Sequence, residues 1–403
     1  MNVALIFGGR SPEHEVSIVT AHQVNAALTE TYNVIPIYIT KDGAWLTGEK
    51  LNKLNTFTDG NLPNVSDYDT VSVEFSANTK FNILPQRSSL FSKKKDLEID
   101  VVFPAIHGVH GEDGTLQGML EMIDVPYVGA NVVGSGIGMD KTMMKAVLSA
   151  NELPILPYVP FTKNEWEKSS HDILNVIEDK IAYPVFVKPA ISGSSIGVSL
   201  ANDQTELQDA IELACRYCRR ILVEQALVGG YEINCAVMGT HTPIPSVCEQ
   251  PISSTDFLSF DDKYIHQDDE TDPDADMTSG MAGAERKIPA PISDALTLHI
   301  QNLATLTFQV LDCSGVARVD FLVSHDDQVY VNEINTIPGS FSFYLWEPVG
   351  VTFPELVSGL VELALETHKE KNRLIYSHST NLLNQAGARF TKLKDGAQVD
   401  EST

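Results

Sequence analysis

The sequence predicts a mixed α/β and α+β fold, with a parallel α/β domain at the N-terminus and α+β lobes after it. The apolar run "NVALIF" ends at two glycines and is followed by a helical pattern, which is typical of a strand, a tight turn and a helix. Two more apolar runs, "YNVIPIYIT" and "IDVVFPAIHG", continue the alternation over about the first 130 residues. Because 403 residues exceed the size of one hydrophobic core, two or three domains are expected.

Changes of pattern divide the rest of the chain. A helix with Asp140 as its N-cap precedes the strands "YPVFVKPA" and "RRILVEQAL", which indicates a small α+β lobe. Strands dominate after it, apart from an acidic stretch without periodicity that is expected to form a loop. The predicted segments are an N-terminal domain at 1–135, a central lobe at 136–226, a C-terminal lobe at 227–370 with the loop at 253–286, and a polar tail at 371–403.

Composition and charge exclude several classes of function. A formal net charge of -26 opposes a phosphate backbone, so no nucleic-acid partner is expected. The chain has no apolar run of about 18 residues and no signal peptide, which predicts a cytoplasmic protein without a membrane partner. Five cysteines do not form a disulfide framework, and the isolated pair Cys215 and Cys218 is expected to be inert.

Two clusters of chemically active side chains follow strands of the N-terminal domain. In "SPEHEVS", Glu13, His14 and Glu15 could form a metal site, a substrate site or only a charged turn of helix. In "HGVHGEDG", glycines surround His107 and His110, which favours close approach of the backbone to a small ligand over a zinc site. Both clusters lie where ligands bind in parallel α/β sheets.

The hairpin "GVARVDFLVSHDDQVYVNEINTIPG" carries the most specific pattern. Because side chains alternate along a strand, Arg318 and Asp320 share one face, as do Glu333 and Asn335. Antiparallel pairing can bring the four together, and two carboxylates with an amide oxygen are ligands suited to Mg²⁺. The alternative is a hairpin with a charged, solvent-facing surface, but apolar residues at the intervening positions favour the functional interpretation.

The segment "VKPAISGSSIGVS" is suited to covering phosphates. Lys188 ends an apolar strand, and the glycines and serines after it offer backbone N–H groups without bulk. Lys141 could supply a second cation, and Glu224 and Glu232 could bind an adenine amino group and ribose hydroxyls. A flexible hairpin and an ordinary strand-loop-strand unit remain the alternatives.

Six motifs together resemble the D-alanine–D-alanine ligase family of the ATP-grasp superfamily, over about residues 2 to 365. They are "LIFGGRSPEHEVS", "HGVHGEDGTLQGMLE", "GMDK", "YPVFVKPAISGSSIGVS", "ARVDF" and "VNEINTIPG", in this order. The resemblance implies a three-domain ATP-grasp fold that joins two D-alanines for peptidoglycan precursor synthesis. ATP would phosphorylate the first D-alanine, and the amine of the second would attack the acylphosphate. Two Mg²⁺ ions, with Mn²⁺ as an alternative, and a homodimer are also implied.

The resemblance assigns roles residue by residue. Arg318 would stabilise the oxyanion, and Glu13 would bind the ammonium of the first D-alanine with help from Ser194 and Tyr264, the latter in a loop that excludes water. The implied ATP-binding residues are Lys141, Lys188, Ser194, Ser195, Glu224, Leu227, Glu232 and Lys263, the implied metal ligands are Asp320, Glu333 and Asn335, and further substrate contacts are His107, Gly339 and Tyr344. Because Asp320, Glu333 and Asn335 would already supply the Mg²⁺ ligands, a metal site in "SPEHEVS" is not expected.

The sequence departs from the family pattern at three places. Tyr344 stands where familiar ligases carry a serine that contacts the second substrate, one glycine is added between the two adenosine-binding glutamates, and the acidic loop is longer. Tyr264 favours an amino acid over D-lactate as the nucleophile. The alternatives are a related ligase that uses D-serine, D-lactate or another amino acid, and a non-catalytic nucleotide-binding relative.

Overall fold

The structure is a computed structural model of the chain and describes residues 1–58, 62–74, 80–84, 95–191, 193, 195–252, 286–376, 380 and 382–383. The predictions for Ser194, Lys263 and Tyr264, for the loop up to residue 285 and for most of the polar tail lie outside these residues. The described elements form three β-sheets with α-helices packed against them. The mixed α/β and α+β fold class is thereby confirmed.

The first sheet has seven strands in the order β6-β5-β4-β3-β2-β1-β7. β1 pairs in parallel with β2 and β7, as the sequence predicts, and helix α1 connects β1 to β2. The elements of this region are β1 (Asn2–Gly8), α1 (His14–Leu28), β2 (Asn33–Ile39), β3 (Trp45–Thr47), β4 (Asp69–Val73), β5 (Lys80–Leu84), β6 (Lys95–Glu98), β7 (Val101–Pro104) and α2 (Thr115–Met122).

The other half of this sheet differs from the expected parallel pattern. β2 to β6 pair as successive antiparallel neighbours. A parallel return needs a crossover of about a dozen residues or more, usually a helix. Between Ile39 and Val101 the described residues form only short strands and single 3-10 turns, and β2 and β3 are joined by residues 40–44 alone. The five-residue connection is too short for a parallel return, so β3 must pair antiparallel with β2.

The second sheet is antiparallel, with the order β10-β9-β11-β8. The Asp140 side chain accepts hydrogen bonds from the backbone N–H groups of Thr142 and Met143, so the predicted N-cap is confirmed. The elements are α3 (Val132–Met139), α4 (Lys141–Ala150), β8 (Tyr158–Thr162), α5 (Lys163–Lys180), β9 (Val185–Pro189), β10 (Ser199–Ala201), α6 (Gln204–Tyr217) and β11 (Arg220–Gln225). α5 and α6 pack on this sheet around the buried Val187 and Ile221.

The third sheet has five antiparallel strands in the order β14-β13-β12-β15-β16. One face packs on helix α7, where Ile300 and Phe308 contact a core that includes Val319 and Phe321. The elements are β12 (Tyr231–Gly239), β13 (Ile244–Pro251), β14 (Arg286–Lys287), α7 (Asp294–Val310), β15 (Gly315–Val323), β16 (Val329–Asn335) and α8 (Phe353–Lys371). Since side chains alternate, Arg318 and Asp320 lie on the opposite face, which carries the polar groups.

Helix α8 and the loop before it pack against the first sheet and share a hydrophobic core with it. Leu356 and Leu360 of α8 are fully buried in one cluster with Phe7 and Phe103. No described helix is by itself both long and apolar enough to cross a membrane. Gly339–Val349 and Phe353–Lys371 pass that test only as a bent pair, and their apolar residues contribute to this shared core.

Gly8 provides a test of the turn that leads from β1 into the site. Its φ is +85°, and a Cβ added there would lie 2.4 Å from the Ile39 carbonyl oxygen. We expect Gly8→Ala to lower the free energy of unfolding by about 2–4 kcal/mol through backbone strain and overpacking. The control is Gly118→Ala inside α2, where a Cβ meets no atom within 4 Å and stability should rise by about 0.5–1 kcal/mol. Urea unfolding measures both, and equal shifts would contradict the prediction.

Candidate active site

The polar face of the third sheet brings the four predicted hairpin residues together. In the pairing of β15 with β16, Arg318 lies opposite Asn335 and Asp320 lies opposite Glu333. Arg318 donates two hydrogen bonds to Asp320, from Nε to Oδ1 at 2.6 Å and from Nη2 to Oδ2 at 2.8 Å. Asn335 Nδ2 donates to Asp320 Oδ2 at 2.9 Å. Asp320 is 1% exposed, so the interpretation of the hairpin as a solvent-facing charged surface is wrong.

These residues have the chemistry of a magnesium site. Asp320, Glu333 and Asn335 offer two carboxylates and an amide, and Mg²⁺ is commonly bound by one or two carboxylates together with water and substrate phosphate. Glu333 lies 3.1 Å from Lys141 Nζ, which places an ammonium group beside the carboxylates. Among the described residues no three His, Cys, Asp or Glu side chains cluster as a closed metal site. The arrangement fits a metal that is shared with a bound phosphate.

The Arg318 guanidinium stays protonated in this position. Burial lowers the pKa of its guanidinium, but the paired Asp320 carboxylate outweighs burial, so the pKa lies well above its ordinary value. The group is therefore a permanent cation in a partly buried site, where charge interactions are stronger than in water. This is the property required of a group that stabilises a developing negative charge.

A cleft between the N-terminal and C-terminal regions contains Glu13 and Arg318. Glu13 precedes α1 and is 8% exposed. A Cβ added to Gly108 would lie 2.5 Å from Glu13 Oε2, and one added to Gly193 would lie 2.6 Å from it. Two glycines thus allow the backbone of two loops to approach one carboxylate. The other residues that line this cleft include His107, Glu112, Lys141, Glu333, Asn335 and Gly339.

The neighbours of Glu13 have structural roles. His14 is fully buried, and its ring nitrogens bond to the Gly9 carbonyl oxygen at 2.7 Å and to the Tyr38 hydroxyl at 2.9 Å. Burial lowers the pKa of this imidazole, which favours its neutral form. Glu15 points outward and pairs with Lys41. Of the three residues in this cluster, only Glu13 lines the cleft.

His107 and Glu112 connect the two sides of the cleft. His107 Nε2 bonds to Thr20 Oγ1 at 2.9 Å, and Nδ1 bonds to the Ile337 carbonyl oxygen at 2.9 Å. Glu112 accepts hydrogen bonds from the backbone N–H groups of Gly108 at 2.9 Å and Ile337 at 3.2 Å. Both nitrogens of His107 are thus engaged within the protein, and its contact with substrate stays a prediction. The contributions of Thr20 and Glu112 were missed, because partners so distant in sequence leave no local pattern.

The loop after Ile337 has an unusual, left-handed backbone conformation. Ser340, Phe341 and Ser342 have φ of 49–53°, a left-handed conformation that costs roughly 1–2 kcal/mol per residue without glycine. Contacts with α1 hold the loop, since Ser340 Oγ donates to Gln23 Oε1 at 2.6 Å. The Phe341 and Phe103 rings pack edge to face, with 5.1 Å between their centroids. This conformation sets the place of Gly339 in the cleft.

A second cavity, with a volume of about 780 Å³, lies between the second and third sheets. Lys141 and Glu333 line both this cavity and the first cleft, so the two lie side by side. Six of the predicted ATP-binding residues line it, namely Lys141, Lys188, Ser195, Glu224, Leu227 and Glu232. Phe186, Leu322 and Asn332 also line it and were missed, because they are ordinary strand residues whose orientation depends on the packing of the two sheets.

A buried group of three charges lies at the wall of this cavity. Lys188 Nζ donates to Glu224 Oε2 at 2.6 Å, and Lys145 Nζ pairs with Glu224 Oε1. Burial alone would raise the pKa of Glu224, but the two lysines outweigh it and lower the pKa. For Lys145 burial is the larger cause, and it lowers the pKa although Glu224 opposes it. Lys145 was not among the predicted site residues.

Tyr344 lies in a second buried polar cluster on the same sheet face. Arg286 Nη1 bonds to Glu249 Oε2 at 3.0 Å, and the Tyr344 hydroxyl lies 3.4 Å from Glu249 Oε1. The Arg286 guanidinium stacks 4.1 Å from the centre of the Tyr344 ring. Burial raises the pKa of Tyr344, which keeps its hydroxyl protonated. Glu249 and Arg286 were missed, because neither lies in a recognisable motif.

Comparison with known proteins identifies the family. The model of the D-ala D-ala ligase N-terminus matches residues 2–130, and that of the D-ala D-ala ligase C-terminus matches residues 147–362. The chain is 39% identical over 383 residues to a D-alanine–D-alanine ligase of Thermosipho africanus, covering 95% of this chain and 98% of that relative.

Solved structures of two ligases have the same fold as this chain. The D-alanine–D-alanine ligase of Coxiella burnetii superposes with a TM-score of 0.75 at 29% identity, covering 96% of this chain and 99% of that one. The VanG D-Ala:D-Ser ligase of Enterococcus faecalis gives 0.74 at 29% identity, covering 90% and 99%. The sequence matches, the shared fold and the site geometry together establish that this chain belongs to the D-alanine–D-alanine ligase family.

Proposed function

We propose that this chain joins two D-alanines to D-alanyl-D-alanine, with cleavage of ATP to ADP and phosphate, for peptidoglycan precursor synthesis. The observation that carries the proposal is that Lys141 and Glu333 line both cavities, which places the two side by side. A phosphoryl group at the end of a nucleotide in the larger cavity would lie beside an amino acid in the smaller one. Family membership implies ATP as the co-substrate and small molecules as the ligands.

Glu13 and Arg318 would orient the first D-alanine. The Glu13 carboxylate would bind its ammonium group, and the substrate carboxylate would then lie toward Arg318 and Lys141 on the opposite wall. Transfer of the γ-phosphoryl group to this carboxylate forms an acylphosphate and releases ADP. The amine of the second D-alanine attacks the acyl carbon, and Arg318 stabilises the oxyanion before phosphate leaves. Ser194 and Tyr264 are proposed to assist at this site.

Lys141 and Lys188 would bind the phosphates of ATP, with Ser195 and Ser194 covering them. Leu227 and Glu232 would contact the adenosine, and Lys263 would approach from the long loop. Asp320, Glu333 and Asn335 would bind two Mg²⁺ ions, or Mn²⁺ in their place. Such ions neutralise charge on the transferring phosphoryl group.

The second substrate site is proposed to lie next to Arg318, bounded by Gly339 and Tyr344. Support comes from the burial of Tyr344 beside Arg286 and from the place of Gly339 and Arg318 in the lining of one cleft. Because one structural neighbour is a D-Ala:D-Ser ligase, D-serine is the alternative second substrate. We also propose a cytoplasmic location and a homodimer. The proposed domain boundaries lie at residues 135, 226 and 370.

A substrate-pair assay tests the function. We expect rapid ATP-dependent phosphate release with D-alanine alone, slower release when D-serine competes, and no release beyond that of D-alanine alone, and no D-alanyl-D-lactate, when D-lactate is added. Mass spectrometry identifies the product of each pair. Robust release with D-lactate but none with two D-alanines would contradict the proposal, and ATP binding without any ligation would favour the non-catalytic alternative.

Glu13→Gln tests the first substrate site. Loss of the charge should raise the KM for the first D-alanine about 10- to 100-fold, because hydrogen bonds to charged groups contribute about 1.5–3 kcal/mol. ATP affinity should stay within about twofold, since Glu13 lies in the smaller cleft only. Glu15→Gln is the matched control, because Glu15 is exposed and pairs with Lys41. A parallel loss of ATP affinity in Glu13→Gln would be evidence against the assignment.

Arg318→Ala tests oxyanion stabilisation. We expect kcat to fall about 10²- to 10³-fold, as for the removal of one oxyanion-binding donor. Binding of a non-hydrolysable ATP analogue should persist, since Arg318 does not line the nucleotide cavity. The exposed Arg216→Ala on α6 controls for the loss of an arginine. Full turnover by Arg318→Ala would remove this residue from the mechanism.

A further inference from the structure

Arg286 makes two contacts inside the buried cluster that it forms with Glu249 and Tyr344. Glu249 is 1% exposed and Tyr344 is 7% exposed, and 11% of the Arg286 side chain is exposed. Arg286 Nη1 donates to Glu249 Oε2 at 3.0 Å, and the guanidinium stacks 4.1 Å from the centre of the Tyr344 ring. One arginine therefore both neutralises the carboxylate and holds the ring in place.

The register of the third sheet connects this cluster to Arg318. Glu249 lies opposite Asn234, and Asn234 lies opposite Asp320, so these three side chains point to one face. Asn234 Nδ2 donates to Glu249 Oε1 at 3.3 Å. Burial lowers the pKa of Arg318, whereas Asp320 and, to a smaller extent, Glu249 raise it. The charge of Glu249 therefore acts at Arg318, and it would act on a ligand bound there.

The Tyr344 hydroxyl is a neutral donor on the same face. Burial raises its pKa, so the group stays protonated. It lies 3.4 Å from Glu249 Oε1, whereas an ordinary O–H···O bond spans about 2.5–3.0 Å. Glu249 thus engages the hydroxyl only weakly, which leaves it able to donate a shorter, charge-assisted bond to the carboxylate of a ligand.

The charge of Glu249 explains why an arginine is needed beside it. Arg286 and Glu249 form a neutral pair, as do Arg318 and Asp320. A ligand carboxylate then meets Arg318 and the Tyr344 hydroxyl without a net opposing charge. Without Arg286, Glu249 would keep a negative charge in a buried place, because its hydrogen-bond donors favour the charged form. Like charges repel strongly there, since the effective dielectric constant is low.

We propose that Arg286 is a positioning residue for the second substrate site, which it makes selective for an amino acid with a free carboxylate. It cancels the charge of Glu249 and holds the Tyr344 ring, so that the Tyr344 hydroxyl donates to the carboxylate of the incoming amino acid. A tyrosine carries its hydroxyl on a large ring, which needs a partner to fix its direction. This proposal rests on the proposed second substrate site and deepens it.

Binding of the product and of its C-terminal amide tests the role of the charge. Calorimetry on the full chain with ADP and Mg²⁺ measures the dissociation constants of D-alanyl-D-alanine and of the amide, which lacks the carboxylate. The unchanged chain should bind the acid more tightly than the amide. For Arg286→Met we expect about 10- to 100-fold weaker binding of the acid, with the amide unchanged within about twofold. The exposed Arg216→Met is the matched control.

Two further variants separate charge from packing. Arg286→Met/Glu249→Gln removes both charges and should recover the affinity for the acid to within about fivefold, which a loss of packing would not do. Arg286→Lys keeps the charge but loses the planar stack, and it should bind the acid more tightly than Arg286→Met does. Thermal unfolding of each variant sets a measuring temperature at which every variant is folded.

Initial rates give a second readout. Arg286→Met should raise the KM for the second D-alanine about 10- to 100-fold, for the same electrostatic reason. The KM for the first D-alanine should stay within about twofold, because Glu13 binds it from the opposite wall of the cleft. A purely structural role would change both KM values or neither.

Three outcomes would overturn the proposal: equal losses of acid and amide binding in Arg286→Met, unchanged acid binding in that variant, or no preference for the acid in the unchanged chain. The proposed reaction is tested separately by dipeptide formation. A chain that shows the expected binding pattern but forms no dipeptide would refute the reaction and retain the role of Arg286. A chain that forms the dipeptide while Arg286→Met binds both ligands normally would refute the role and retain the reaction.

Discussion

The register of β15 against β16 is the constraint on which the rest of the site depends. It sets Asp320 opposite Glu333 and Arg318 opposite Asn335, and a slip of β15 by one residue would move Arg318 and Asp320 to the face that packs on α7, away from Glu333 and Asn335. That face is filled by Val319 and Phe321, so burial of apolar surface strongly favours the observed register. The stability of the hydrophobic core and the position of the four polar side chains are therefore determined by the same pairing.

The N-terminal sheet completes the site through buried polar contacts. His107 and Glu112 bond to the Ile337 backbone, Thr20 bonds to His107, and the left-handed turn at Ser340 is held against α1. Backbone strain of this kind persists only where the surroundings over-determine it. Regions far apart in sequence thus place Glu13 and Arg318 on facing walls of one cleft.

The chain is strongly acidic, yet the proposed phosphate site is built from cations. Lys141, Lys145, Lys188 and Arg318 each pair with a carboxylate in a buried or partly buried place. Net charge acts over the whole surface and is screened by salt, whereas these groups act at short range where water is excluded. An acidic protein can therefore bind a nucleotide while repelling nucleic acid.

Sequence patterns alone determined the alternation of strands and helices, the Asp140 cap and the shared face of Arg318 and Asp320, because each depends on neighbours within one element. Motif order was sufficient to identify the family. The antiparallel half of the first sheet, the partner of Lys145 and the cluster around Tyr344 were decided only by the tertiary structure. Lys145 and Glu224 are 79 positions apart, and no local periodicity specifies which side chains meet where helix α4 packs on strand β11. Burial and the neighbouring charges then together set the pKa of each group.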